Sequence, residues 1–261
     1  LGYDLKKICF SKSNNNVNET KYTQPAVFIY SIICDYYLKD LHYNPIAFSG
    51  HSLGEYSALV SSNALSMQDA LNIIKIRSEK MYISGQKTKG KMTAILSSDY
   101  SRINKLINNL DSKVVIANYN SKKQTIISGE TQEINKLILS LKNEKFKVIP
   151  LNVSGAFHSP LMKDVKEMLE QIINKTKFNN ISYPIYQNVN PTKNFKSNQI
   201  KKNLIEQIIS PVRWIDIIKN MYNDTNSSFI EVGPGSVLTK LNKNINSDII
   251  CTNFNKLQLT I

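Results

Sequence analysis

The chain has 261 residues, 41% of them hydrophobic and 9% aromatic, the make-up of an ordinary globular protein with enough length for one large domain or two modest ones. No apolar run reaches the ~18–20 residues a membrane span needs, since the longest, residues 26–34, is short and interrupted, so no membrane association is expected. The net charge of +13 is not a nucleic-acid signature: only Arg77, Arg102 and Arg213 are arginines, lysine supplies the rest of the 33 basic residues, and no base-reading motif is present.

The opening residues, Leu1-Gly-Tyr-Asp-Leu-Lys-Lys, do not form a signal peptide and are expected to enter an element part-way. An Asn-rich surface loop is predicted at 14–18. A helix should begin at Gln24-Pro25, with Val27, Phe28, Ile32, Ile33, Tyr36 and Tyr37 as its apolar positions. A short strand, 45–49, leads into Gly50, and a helical pattern resumes at Glu55. A further helix over 66–84 carries Ala70, Leu71, Ile74, Arg77 and Met81 along one side. The rhythm then changes: strand 92–96, helix 100–110, strands 114–117 and 124–128, helix 131–141 and strand 147–153. That β-α-β-β-α-β order is the pattern of a ferredoxin-like unit, expected as an insertion. A helix over 159–175, an extended stretch over 182–188 and helices over 199–209 and 214–221 follow. Short strands at 229–232 and 249–253 flank a helix over 236–244. The expected fold is α/β: a hydrolase-like large domain with a parallel sheet (1–90 and 155–261), interrupted by a small ferredoxin-like domain (91–154).

Gly50-His51-Ser52-Leu53-Gly54 fits G-x-S-x-G between a strand and a helix, the context of a nucleophile elbow. Such a turn strains the serine, and side chains at positions 50 and 54 are expected to collide with neighbouring backbone. It lifts the Ser52 hydroxyl to a helix N-terminus, where the Leu53 N–H can face the oxygen of an attacked carbonyl. A serine nucleophile needs a base. Of the three histidines, His51 should point away from Ser52 and His42 sits in a polar connection, which leaves His158. No acid of Asp69, Asp99, Asp111 and Glu130 lies at the end of a large-domain strand, which counts against a hydrolase and leaves the third partner open; a backbone carbonyl could orient the imidazole instead, since holding the tautomer needs only an acceptor. Gly233-Pro-Gly235 reads as a structural turn rather than a phosphate cradle. Cys9, Cys34 and Cys251 form no metal or disulfide pattern, and neither metal nor cofactor is expected.

Four segments together, Gly50-His-Ser-Leu-Gly-Glu-Tyr-Ser-Ala-Leu59, Gly155-Ala-Phe-His-Ser-Pro160, Ser210-Pro-Val-Arg-Trp214 and Glu231-Val-Gly-Pro-Gly235, resemble the malonyl-CoA:acyl carrier protein transacylases of type II fatty acid synthesis. The resemblance implies that Ser52 takes a malonyl group from malonyl-CoA and passes it to the phosphopantetheine thiol of acyl carrier protein, with His158 as base. It implies that Arg77 pairs with the free malonyl carboxylate, that Phe157 narrows the pocket against methylmalonyl, and that the Gln207 segment offers its carbonyl to His158. Asn118 and Asn120 would line the cleft beside the small domain. The family begins with a strand and a Pro-Gly-Gln-Gly segment that this chain lacks, so one oxyanion donor is expected to be missing, at ~10²–10³ in rate.

The alternatives are a serine esterase or thioesterase on the same elbow and a non-catalytic interaction module. The protein is expected to act as a monomer. Its abundance of lysine and asparagine, both encoded by A-rich codons, points with a type II enzyme to an apicoplast-like plastid of a protozoan, with the cytoplasm as the alternative.

Overall fold

The computed structural model describes residues 1–11, 15–97, 99–108 and 114–257. A short helix that the sequence pattern did not announce, α1 (Leu5–Phe10), is capped by the Asp4 carboxylate on the Lys7 N–H. A 3-10 turn at Asn15–Asn18 follows where the Asn-rich loop was expected; Asn14 lies outside the described residues. Helix α2 (Thr20–Asp40) starts four residues before Gln24, with Pro25 inside its second turn. Its inward face is also rotated from the expected one. Phe28, Ser31, Ile32, Asp35 and Leu38 are buried, whereas Ile33 and Tyr36 are exposed. Ser31 satisfies its hydroxyl on the Val27 carbonyl, so small polar residues could replace apolar ones on the packed face.

Strand β1 (Phe48–Ser49) runs into α3 (Gly54–Ser61), buried from Glu55 to Ser61. Helix α4 (Met67–Lys87) is N-capped by Ser66, whose Oγ accepts from the Asp69 N–H at 3.0 Å and donates to its carboxylate at 2.7 Å. Its buried residues include Ala70, Ile74, Arg77 and Met81, so Arg77 projects into the interior.

The middle of the chain forms β2 (Gly90–Leu96), α5 (Tyr100–Asn108), β3 (Val114–Ser121), β4 (Gln124–Glu130), α6 (Thr131–Asn143) and β5 (Lys147–Pro150). The predicted end of the first of these helices, at 109–110, lies outside the described residues, as does Asp111. The strands make one antiparallel sheet in the order β3-β4-β2-β5. On one face Ile95, Ile103, Ile127, Ile134, Leu137 and Leu141 pack between sheet and helices. A bulge at Ala117 then breaks the alternation of β3. Ile116 and Tyr119 both join the helix-covered face, while Ala117 packs with Met92, Ala94 and Ile126 and against Phe157.

Beyond it come α7 (Lys163–Lys175), preceded by a 3-10 turn at Pro160–Met162, then β6 (Ile185–Tyr186), α8 (Ser197–Glu206), α9 (Trp214–Thr225), β7 (Phe229–Glu231), α10 (Val237–Ile245) and β8 (Cys251–Asn253). β1 pairs in parallel with β6 and β7 with β8, so the α/β part carries its parallel strands as two pairs. Between β1 and β7 lies a cavity of about 480 Å³, lined also by residues of α2, α3, α9 and α10. The largest core joins Phe28, Ile32, Tyr56, Leu59, Ile74 and Leu169, and a second gathers Tyr186, Val212, Trp214, Ile217 and Leu241. The antiparallel sheet is pinned to this part through Val212: its N–H donates to the Ala117 carbonyl at 2.8 Å, and its carbonyl accepts from the Tyr119 N–H at 2.9 Å.

Candidate active site

The elbow is built as a collision that only glycine avoids, but on one side alone. A Cβ at Gly50 would overlap the Gly54 carbonyl group and the Glu55 nitrogen, whereas one at Gly54 would meet nothing within 4 Å. The expected clash at position 54 is therefore absent, because its Cβ direction points into open space. Ser52 itself sits at φ 50, the left-handed region that L-residues avoid, and His158 at φ 56. The His158 loop is drawn in by another close approach: a Cβ on Gly85, near the end of α4, would overlap the Ser154 carbonyl, and one on Gly155 would lie 2.8 Å from Gly85 Cα. Ser159 Oγ tightens the same loop by donating to the Ala156 carbonyl at 2.6 Å.

Ser52 Oγ lies 2.8 Å from His158 Nε2. His158 Nδ1 faces the carbonyl oxygens of Gln207 at 2.9 Å and Ser210 at 3.2 Å. Carbonyls only accept, so Nδ1 carries the proton and Nε2 presents its lone pair to the serine O–H. Among the described residues no carboxylate hydrogen-bonds to His158. Burial, and then the nearby Arg77 charge, push the His158 pKa down to about 3, so the ring is a neutral base throughout the ordinary pH range.

Arg77, 1% exposed, donates from Nη2 to Ser52 Oγ at 3.0 Å and from Nη1 to Gln24 Oε1 at 2.5 Å. The Tyr56 ring lies 5.5 Å from the guanidinium carbon. Among the described residues no carboxylate forms an ion pair with Arg77, and its Nε finds no hydrogen-bond partner. Burial pulls its pKa below the ordinary arginine value.

Gln207 touches all three groups. Besides its carbonyl on His158, its Nε2 donates to the Ser52 carbonyl at 3.1 Å, and its Oε1 accepts from Arg77 Nη2 at 3.4 Å. Leu53 leads directly into α3, and Phe157 packs against both the main core and the inner face of the antiparallel sheet. Asn118 and Asn120 are buried, but neither hydrogen-bonds to Ser52, Arg77 or His158. Asn120 Oδ1 instead meets His51 Nε2 at 2.8 Å, and the His51 ring lies 5.6 Å from Trp214. His42 is exposed.

The sequence pattern assigns no role to three residues of this neighbourhood. Gln24, expected to open a helix, accepts from Arg77 instead. Glu55 is wholly buried, its carboxylate receiving the Gln187 amide at 3.0 Å and the Asn188 N–H at 2.7 Å; desolvation raises its pKa and those donors oppose the rise. Asn188 reaches the elbow itself, accepting from the Ser52 N–H at 2.7 Å and donating to the Gly50 carbonyl at 2.6 Å. The available signals were a glutamate directly behind the elbow and a Gln-Asn pair ending an apolar run. The Gly233-Pro-Gly235 turn has positive φ at both glycines, and the Glu231 carboxylate accepts from the Leu238 and Thr239 N–H groups, so the start of α10 is already capped. Among the described residues no group of three or more His, Cys, Asp or Glu is placed to hold a metal ion, and no helix is long and apolar enough to cross a membrane.

The acyl transferase domain family matches residues 1–249. The malonyl CoA-acyl carrier protein transacylase of Staphylococcus aureus (strain MSSA476) is 36% identical over 262 residues, covering 99% of this chain and 84% of the relative. The crystal structure of the malonyl-CoA:ACP transacylase of Synechocystis sp. PCC 6803 superposes with a TM-score of 0.89 at 31% identity, covering 98% of this chain and 85% of that one. A malonyl-transacylase in complex with its type II polyketide acyl-carrier protein superposes with a TM-score of 0.91 at 28% identity, over 97% and 83%. A neutral serine–histidine pair beside a buried arginine, on a chain matched nearly end to end, places it in one group: the chain belongs to the malonyl-CoA:acyl carrier protein transacylase family.

Proposed function

We propose that this protein moves a malonyl group from malonyl-CoA to the phosphopantetheine thiol of acyl carrier protein through an acyl-serine at Ser52. The observation that carries it is Arg77: a buried guanidinium beside the reactive hydroxyl, its charge offset only at a distance by buried Glu55, with no carboxylate at ion-pair distance among the described residues and with an unfilled Nε–H. A buried cation so placed calls for an anionic substrate group, and a planar guanidinium holds a carboxylate by two parallel hydrogen bonds.

In the first half-reaction Ser52 Oγ attacks the thioester carbonyl carbon as its proton passes to His158 Nε2. The Leu53 N–H at the start of α3 faces the developing oxyanion. The C–S bond breaks and His158 returns the proton to the departing thiolate of coenzyme A. In the second half the carrier thiol gives its proton to His158, attacks the malonyl ester, and Ser52 leaves as the alcohol. Gln207 and Ser210 hold the imidazole in the required tautomer, and Phe157 limits room beside the malonyl methylene. Asn118 and Asn120 support the cleft wall, Asn120 through His51.

We also propose a large domain of residues 1–90 and 155–261 with a ferredoxin-like insertion at 91–154; the β3-β4-β2-β5 strand order with two helices on one face supports that reading. No cofactor, nucleic acid or membrane enters the scheme, and the protein is taken to work as a monomer. Its lysine- and asparagine-rich composition supports an apicoplast-like plastid as its compartment. The test is transfer: protein exposed to malonyl-CoA, freed of excess substrate and mixed with phosphopantetheinylated carrier, should yield malonyl-carrier in a stoichiometric burst. Release of free malonate without carrier acylation would favour the esterase reading instead.

A further inference from the structure

Ser52 is held from a direction that the reaction scheme does not use. At the elbow the chain leaves the β1–β6 register, so the Gly50 carbonyl and the Ser52 N–H lose the strand partners that flanking residues have. Asn188, two residues beyond β6 and wholly buried, supplies both in one planar group: Nδ2 donates to the Gly50 carbonyl at 2.6 Å, and Oδ1 accepts from the Ser52 N–H at 2.7 Å. Its own backbone is fixed in turn. The Asn188 N–H donates to Glu55 Oε2 at 2.7 Å, and the Asn188 carbonyl accepts from the Arg213 N–H at 3.2 Å. Glu55 lies three residues past the nucleophile on the helix that the elbow opens, so Asn188 and Glu55 close a loop of hydrogen bonds around a residue with positive φ.

We infer that Asn188 is the positioning residue that holds the Ser52 hydroxyl in reactive alignment, with buried Glu55 fixing Asn188. A left-handed serine has lower-energy conformations available and stays at φ 50 only where its surroundings over-determine it. A side chain that both donates and accepts at this reach is required. Aspartate would set a carboxylate against the Gly50 carbonyl, and alanine would free both backbone groups within a dry interior. The inference rests on Ser52 being the nucleophile of the proposed function, but not on the acyl group it takes.

The test uses a probe indifferent to acyl substrate, an alkyl fluorophosphonate. Its phosphorus forms a bond to Ser52 Oγ, its P–F bond breaks, fluoride leaves, and the serine proton passes to His158. Because a misplacement of ~1 Å costs about 10²-fold, Asn188→Ala should lower the maximal phosphonylation rate about 10²-fold, leaving the half-saturating probe concentration within about twofold. Asn188→Asp, which keeps the acceptor for the Ser52 N–H and loses the donor to the Gly50 carbonyl, should lose about 10-fold. Asn203→Ala is the control: it removes a hydrogen bond to Gln187, one residue away in the same buried network, and should keep the rate within about twofold. The inference is overturned if Asn188→Ala keeps its rate, if Asn203→Ala loses as much, or if both variants at 188 fail to fold while Asn203→Ala folds, which would make Asn188 a framework residue. Wild-type protein that takes the phosphonate but not malonyl-CoA would sink the transferase reading and leave this one standing.

Discussion

Replacing Arg77 by alanine separates the anion-recognition role from every other role this residue could have. In the absence of substrate its guanidinium donates to Ser52, Gln24 and Gln207 and leaves Nε unpaired. A malonyl carboxylate would add two charge-assisted bonds in a dry site, each worth about 1.5–3 kcal/mol, and removing one partner of a buried ion pair costs about 3–5 kcal/mol. Taking about 3–4 kcal/mol, kcat/KM for malonyl-CoA should fall by two to three decades at about 1.4 kcal/mol per decade. Acetyl-CoA has no carboxylate, so its rate should change only through the lost bond to Ser52, by at most about tenfold. The assay is thioester exchange onto carrier protein with malonyl-CoA and acetyl-CoA in parallel, read as the ratio of the two kcat/KM values. That ratio should drop by about 10² in the variant. Equal losses on both substrates would show that Arg77 merely holds the serine hydroxyl, and the account of its role would be wrong.

Burial of a neutral imidazole also has a signature in stability. The His158 pKa is about 3 in the fold against an ordinary 6.5. Between those values the unfolded chain binds the extra proton, so this contribution to stability is whole above about pH 6.5 and falls by about 1.4 kcal/mol per unit as pH drops toward 3. Urea unfolding at successive pH values should show a shallower acid decline in His158→Gln than in wild type; parallel curves would mean that the ring is protonated in the fold. At the elbow, Gly50→Ala should destabilise by more than about 3 kcal/mol or abolish folding, while Gly54→Ala should cost less than about 1 kcal/mol, as melting temperatures would reveal. Phe157→Ala should raise use of methylmalonyl-CoA relative to malonyl-CoA by about 10–200-fold in competition assays.

Local chemistry made part of this molecule readable in its sequence. The elbow was legible because a tight strand-to-helix turn restricts which residues can stand there, and Gly50 shows how directly. His158 could be reached by elimination among three histidines, and the element order of the antiparallel sheet followed from the change of rhythm after residue 90. What resisted reading was long-range and polar. Asn188 meets Ser52 across 136 residues, and the side chain of Gln207, whose carbonyl alone was expected at the site, meets it across 155, through amide groups that carry no periodic signal. The bulge at Ala117 reverses which residues of β3 face the helices, and no turn residue marks it. The buried face of α2 differs from the hydrophobic count because Ser31 satisfies its hydroxyl on the Val27 carbonyl and Asp35 pairs with Lys39, so these two polar residues can turn inward while Ile33 and Tyr36 face out.

The central claim, that Ser52 becomes acylated with His158 as its base, is tested most directly by locating the adduct. Mass spectrometry of peptides from protein quenched in acid after brief exposure to malonyl-CoA should place one malonyl ester on Ser52. The ester should be missing from Ser52→Ala and should form far more slowly in His158→Ala. A malonyl group on a cysteine or lysine, with Ser52 unmodified, would contradict the account.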